Sequence, residues 1–232
     1  MSKTLKQYLA EQDQAVLASF LDERWCICAA ISRNALAELA ATREATLEDL
    51  PGYAQTEAVV VRRKGFAELW VRARRSDYRA PFLAFASRHH GYHASSVPAG
   101  YNVDHLFSKN RVRTAKAEPD DERLPHATLV RMQLVDSSVN QSFGNLMESA
   151  MAGSGRSLRD VRRFDYLQLA KALSIDANVT GGGLSGPRQT ANFAHVVDEF
   201  AQRGVLEGLC MSREAMTAEL IRMAEKVSFF RA

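Results

Sequence analysis

Cysteine is scarce: Cys26, Cys28 and Cys210 are the three in a chain of 232 residues. Three thiols cannot pair completely and do not form the spaced doublets of a zinc ribbon, so neither a disulfide scaffold nor a cysteine-bound structural metal is expected. A reducing cytoplasm is the expected setting. No apolar run approaches the roughly 20 residues that span a bilayer, which argues against a membrane partner. The first residues, MSKTLKQYLAEQDQ, are polar and amphipathic, without the apolar block of a secretory signal. Delivery by a signal-independent secretion machine is compatible with that. Internal repeats and low-complexity segments are missing too.

What remains is an ordinary globular composition, with 46% hydrophobic and 25% charged residues. The length allows one or two domains. A chain this size buries roughly 70% of its extended surface, enough for a substantial core. The net charge of +3 says little, but its distribution says more. From Arg62 to Lys116 there are 12 Lys/Arg against Glu68, Asp77 and Asp104, a local +9, which leaves 18 basic and 24 acidic residues, or −6, elsewhere. A basic centre between acidic ends is the footprint expected of a region that faces a polyanion.

Three segments follow from the patterning. Residues 1–55 read as helical, with Leu5, Leu9, Val16 and Phe20 at helical spacing. A second helix is expected from about Glu23 to Arg43, carrying Trp25, Ile27, Ile31, Leu36 and Leu39, before the breaker Leu50-Pro51-Gly52. Residues 56–152 form the basic region. There Ala58-Val59-Val60-Val61 and Leu69-Trp70-Val71 flank Arg63-Lys64-Gly65 as an arginine-rich hairpin. A short helix with Pro81 in its first turn and Gly91 at its end follows. His89, His90 and His93 cluster there, but Gly91 interrupts the i, i+4 spacing that helical metal ligands need, so they read as surface or site-rim residues.

Residues 153–232 read as a C-terminal helical segment. Leu158, Val161, Tyr166, Leu169 and Leu173 suit one helix, Phe193, Val196, Val197 and Phe200 a second, and Met216, Leu220, Met223 and Val227 a third. The glycine-rich 180–188 stretch lacks the Gly-Lys-Ser/Thr ending of a phosphate loop and reads as a connector.

The stretch from Tyr101 to Met151 is the most informative. Asn102-Val103-Asp104-His105-Leu106 places an Asp-His pair at a strand end. Ala127 to Val135 reads as a second strand, and Asp136-Ser137-Ser138 starts a helix, Ser138 and Gln141 having capping-box spacing. Val139, Phe143, Leu146 and Ala150 make that helix's buried stripe, and Asn140 falls in its first turn.

A strand with Asp-His, a second strand and a helix with an early Asn resembles the HNH endonucleases, which are built on a ββα-metal finger. The resemblance covers about residues 101–151 and rests on Val103-Asp104-His105-Leu106 and Val139-Asn140-Gln141-Ser142-Phe143-Gly144. It implies an α+β fold, mainly helical around a small hairpin and a ββα core. It also implies a metal-dependent nuclease that hydrolyses phosphodiester bonds, with DNA as the expected partner and RNA left open. By the same resemblance His105 is the catalytic base, since imidazole takes a proton from water near neutral pH. Asp104 and Asn140 are the implied metal ligands, and oxygen donors favour Mg²⁺ or Mn²⁺. Modules of this kind serve in bacterial toxins, phage defence and mobile elements, with an immunity or companion defence protein as an expected partner class.

One departure stands out. The family carries a middle Asn that orients the base, and no Asn lies between Arg111 and Val139; His126, Arg131 and Gln133 are the polar residues there. Lys109, Arg111 and Arg131, close to the Asp-His pair or on the second strand, are the expected phosphate contacts, which would make binding salt-sensitive. The rival expectation is a nucleic-acid-binding or partner-binding protein that retains a degenerate, non-catalytic finger.

Overall fold

The computed structural model describes residues 2–22, 27–107, 128–143, 161–163, 165–181 and 187–228. Along the chain run α1 (Leu5–Leu21), β1 (Ile27–Ala30), α2 (Arg33–Ala41), β2 (Ala45–Asp49), β3 (Ala58–Arg63), β4 (Phe66–Arg72), α3 (Arg79–His90), β5 (Tyr101–His105), β6 (Leu129–Asp136) and α4 (Ser137–Phe143). Then come β7 (Val161–Arg163), α5 (Tyr166–Ala172), α6 (Pro187–Gln202), α7 (Val205–Gly208) and α8 (Arg213–Ser228). The mixed α+β class agrees with expectation. The sheet is larger than a hairpin and a finger, however: its seven strands run β2-β3-β4-β6-β1-β7, with β5 also on β6. All its pairings are antiparallel.

The sheet draws strands from all three expected segments, so residues 1–55, 56–152 and 153–232 share one architecture. The main core likewise joins Val16 and Phe20 of α1, Leu69 and Val71 of β4, Leu134 of β6, Phe193 of α6 and Leu220 of α8. A smaller cluster under α2 packs Leu36 and Ala40 on Val59, Val61, Trp70 and Leu129.

The arginine-rich hairpin forms as expected. Lys64 (φ 48°) and Gly65 (φ 85°) make a two-residue turn with both φ positive, between paired Arg63 and Phe66. That backbone matches the right-handed twist of the flanking strands. The helix with Pro81 in its first turn is α3, and Gly91 ends it in the left-handed region at φ 66°.

Elsewhere tertiary pairing overrides periodicity. Of the helix expected from Glu23 to Arg43, residues 23–26 lie outside the described residues and the rest is a strand followed by a helix. Ile27, Cys28, Ala29 and Ala30 are all buried, β1 pairs with β6 and β7, and Ser32 then starts α2 by accepting the Ala35 N–H. A continuous apolar run of four does not distinguish strand from helix. The helix expected through Leu158, Val161 and Tyr166 divides in the same way. Val161–Arg163 is β7, and α5 begins at Tyr166, where the Asp165–Gln168 capping box starts it, while Leu158 lies outside the described residues.

Beyond Arg131 the pairing of β6 with β4 ends. There α1 supplies a substitute for a neighbouring strand. Gln12 Nε2 donates to the Leu134 carbonyl at 2.8 Å, and its Oε1 accepts the Leu134 N–H at 2.9 Å. One carboxamide thus offers the donor and acceptor that a strand peptide would offer.

The start of α4 differs from the expected Ser138–Gln141 box. Asp136 is the cap: its Oδ1 accepts from Ser138 N at 2.8 Å, Ser138 Oγ at 2.5 Å and Val139 N at 3.3 Å. The hydrogen bond from the Ser138 side chain, then those from the two backbone N–H groups, hold this carboxyl below its usual range. Asp136→Ala should cost about 1 kcal/mol in urea unfolding. Because the folded pKa is depressed, this contribution is complete above the unfolded value of about 3.9 and is lost as pH falls through the folded one. The variant's acid-unfolding curve should therefore converge on the parent's at low pH.

Candidate functional site

β5, β6 and α4 lie in the order strand, antiparallel strand, helix, and α4 follows β6 without a connecting loop. The helix packs on β5, β6 and α5, burying Val139 and Phe143 and leaving Asn140 half-buried on the first turn. On β5, Asp104 is opposite Gln133 and His105 is opposite Met132. Successive side chains of a strand point to opposite faces. Their contacts follow that rule.

His105 is 5% exposed, and its ring meets the edge of Tyr78, the residue preceding α3, with centroids 4.7 Å apart. Asp104 lies on the other face, where α5 brings Lys171, with Nζ 2.6 Å from Oδ2. Lys171 is itself 4% exposed. A lysine buried to that degree is rare unless paired. Sequence reasoning missed it: Lys171 stands on another helix, and nothing local connects it to the Asp-His pair.

Three contacts fix α5 and the residues after it against β5 and β6. Gln168 Nε2 donates to the carbonyl of Leu106 at 3.3 Å, just past β5. The Gln133 amide donates to the Ala172 carbonyl, and Asp136 N donates to Ser174 Oγ at 3.0 Å. Gln133 is thus committed to α5, on the face of Asp104, and does not orient His105. Of the other polar residues considered for the family's middle Asn, His126 lies outside the described residues and Arg131 is engaged elsewhere.

Arg131 is not a surface phosphate contact. It is 3% exposed, with Nη1 3.1 Å from Oε1 of Glu68, itself 4% exposed. Ser19 Oγ donates to the same carboxylate at 2.7 Å, and Trp70 Nε1 at 3.4 Å. The pair occupies the sheet interior, where Arg131 is opposite Trp70. A positive charge on a strand is visible in sequence; its burial and its acidic partner are not. Lys109 and Arg111 lie outside the described residues.

The fold also reduces the basic character of the central region. Asp22, Glu48 and Glu57 all precede Arg62, yet each returns to it. Arg62 pairs with Glu48 at 2.7 Å, and Arg63 and Lys64 with Asp22 at 2.6 and 3.3 Å. Arg72 and Arg75 share Glu57 at 2.5 and 3.4 Å, and Arg75 also reaches Asp77 at 3.2 Å. Arg79 and Arg88 remain exposed on α3.

The histidines of the 89–93 cluster turn to separate partners. His89 Nδ1 meets Arg62 Nη2 at 2.9 Å, His90 Nδ1 meets Glu11 at 3.3 Å, and His93 Nδ1 meets Ser87 Oγ at 2.6 Å. Burial, above all, lowers the pKa of both His89 and His90, and for His89 the Arg62 charge acts in the same direction. Among the described residues no group of three or more His, Cys, Asp and Glu gathers as a metal cluster. Among them, too, no helix is long and apolar enough to cross a membrane.

Asp104 and Asn140 are hard oxygen donors and suit Mg²⁺ or Mn²⁺ in kind. A divalent ion at Asp104 would have to share it with the Lys171 ammonium. The chain matches no known family model, no characterised protein sequence and no solved structure.

Removing one partner of the Glu68–Arg131 pair takes an ion-pair contact at 3.1 Å from a buried charge. Arg131→Met should therefore destabilise the fold by about 3–5 kcal/mol, whereas Glu68→Leu combined with Arg131→Met should recover much of the loss. Urea unfolding of the single and double variants measures both. A phosphate-contact role for Arg131 would instead leave stability unchanged and shallow the salt dependence of DNA binding.

Proposed function

We propose that this chain is an HNH-like endonuclease that hydrolyses phosphodiester bonds in nucleic acid, with DNA as the first substrate to test. One observation carries the reading: the Asp104–His105 pair ends a strand that lies antiparallel to β6, and β6 runs directly into the helix bearing Asn140. His105 is the base that takes a proton from the attacking water. Its Tyr78 contact restricts the orientation of the ring, the service that the family's middle Asn would otherwise give. Asp104 and Asn140 are the residues that would hold a Mg²⁺ or Mn²⁺ ion. Such an ion, when bound, stabilises charge on the phosphate and on the leaving oxygen. Lys109 and Arg111, which follow β5, are the proposed phosphate contacts. A role in a toxin, phage-defence or mobile-element system, with an immunity or companion protein as partner, belongs to the same proposal.

A second reading is a non-catalytic nucleic-acid-binding or partner-binding protein with a degenerate finger. The close Lys171–Asp104 ion pair and the burial of His105 favour it.

Plasmid cleavage by the purified chain in Mg²⁺, Mn²⁺ and EDTA, beside His105→Ala, separates the two. The endonuclease nicks in metal and not in EDTA, and His105→Ala loses at least about a hundredfold in rate while keeping its circular dichroism spectrum. DNA binding without cleavage by either protein would remove the endonuclease in favour of the binding module.

A further inference from the structure

We propose that Lys171 is a built-in cation of the Asp104 site, which holds this carboxylate when no metal is bound and competes with a divalent ion for it. The inference rests on the reading of Asp104 as a metal ligand and adds a residue from outside the strand–strand–helix unit.

The geometry is specific. The ammonium is 2.6 Å from Asp104 Oδ2, with both side chains largely withdrawn from water. Lys171 reaches the carboxylate from a helix whose position is set independently of this contact. Asp165 and Gln168 form the capping box that starts α5, Gln168 donates to the carbonyl of Leu106, and the Ala172 carbonyl accepts from Gln133. Past the helix, Ser174 Oγ accepts from Asp136 N, and Asp176 accepts from Ser142 Oγ at 3.1 Å on α4. Residues 165–176 therefore brace β5, β6 and α4 together. Lys171 sits in the middle of this brace, so its charge is not that of a surface lysine free to swing away.

An ammonium and a hard dication both seek carboxylate oxygen, and at contact distance in a poorly hydrated interior they repel each other. Metal binding at Asp104 must then displace the ammonium or work against its charge. Lys171 lowers the affinity of the site and pairs with the half-buried carboxylate when the ion is absent. Its role is to tune and position; it is not a further metal ligand.

Mn²⁺ binding to the full-length chain, followed by titration calorimetry or by the electron-paramagnetic-resonance signal of free Mn²⁺, tests this without any need for cleavage. Lys171→Met should bind Mn²⁺ about tenfold more tightly than the parent, or better. Lys171→Arg, which keeps the charge, should remain at the parent's affinity. Asp104→Asn combined with Lys171→Met should lose the gain. Lys171→Gln, which keeps an N–H for Asp104, guards against a Met variant that does not fold and should show the same gain at smaller size. No gain in either neutral variant, or a gain that survives Asp104→Asn, overturns the role of Lys171. Parent cleavage with no gain discards Lys171 and keeps the endonuclease. A gain with no cleavage by any variant keeps Lys171 and discards the endonuclease.

Discussion

Strand β6 is the element on which the rest depends. Seven of its eight residues are buried, and only Asp136 at its end is partly exposed. Its edges serve β4, β1 and β5, and where β4 ends the Gln12 carboxamide takes over at Leu134. A strand this enclosed must satisfy every backbone group within the protein. That requirement fixes where α1 crosses, and it brings β1, from the first segment of the chain, against strands from the second and the third. Register then propagates outward: once Trp70 faces Arg131, and Asp104 faces Gln133, every alternate side chain is assigned to a face.

The same constraint accounts for the polar groups inside. Arg131 and Gln133 alternate with Val130, Met132 and Leu134 along β6, and one face of the sheet therefore carries a polar row. Glu68 with Ser19 and Trp70 engages Arg131, the Ala172 carbonyl engages Gln133, and on the neighbouring strand Lys171 engages Asp104. A slip of β6 by one residue would turn Arg131 and Gln133 to the opposite face and away from these partners. Buried ionic groups add little net stability against apolar replacements of like size. Here they make the alternative registers costly, which is a statement about uniqueness of the fold.

What the sequence made legible, and what it did not, follows the range of the interactions. The β3–β4 hairpin was readable because Lys64-Gly65 and its flanking valines carry their signal within a few residues. The helix from Arg79 to His90 was readable for the same reason, through Pro81 and Gly91, and so was α6 through Phe193, Val196, Val197 and Phe200. β1 was not, because four small or apolar residues become a strand only when β6 and β7 lie beside them. The charge count was incomplete for a related reason. The basic count from Arg62 onward omitted Asp22, Glu48 and Glu57, which stand earlier in the chain and return to these arginines in the fold. The placement of Asp104 and His105 at a strand end and of Asn140 in the first turn of a helix was legible in the local pattern, but the Lys171 contact depends on the docking of α5.

The strand geometry also constrains any chemistry at this site. Asp104 and His105 are neighbours in sequence, yet the carboxylate turns toward α5 and the imidazole toward Tyr78 at the start of α3. In the middle of a sheet such a pair would be separated by the sheet itself. β5 is different: among the described residues it pairs with β6 alone, and the Asp-His pair is at its C-terminal end. The proposed endonuclease requires both groups to reach one ligand around that end of the strand. The residues just past that end, Leu106 and Phe107, are buried. The Gln168 hydrogen bond to Leu106 keeps α5, with Lys171, beside this end of β5, so the docking of one helix sets the surroundings of the carboxylate while the residue preceding α3 sets those of the imidazole.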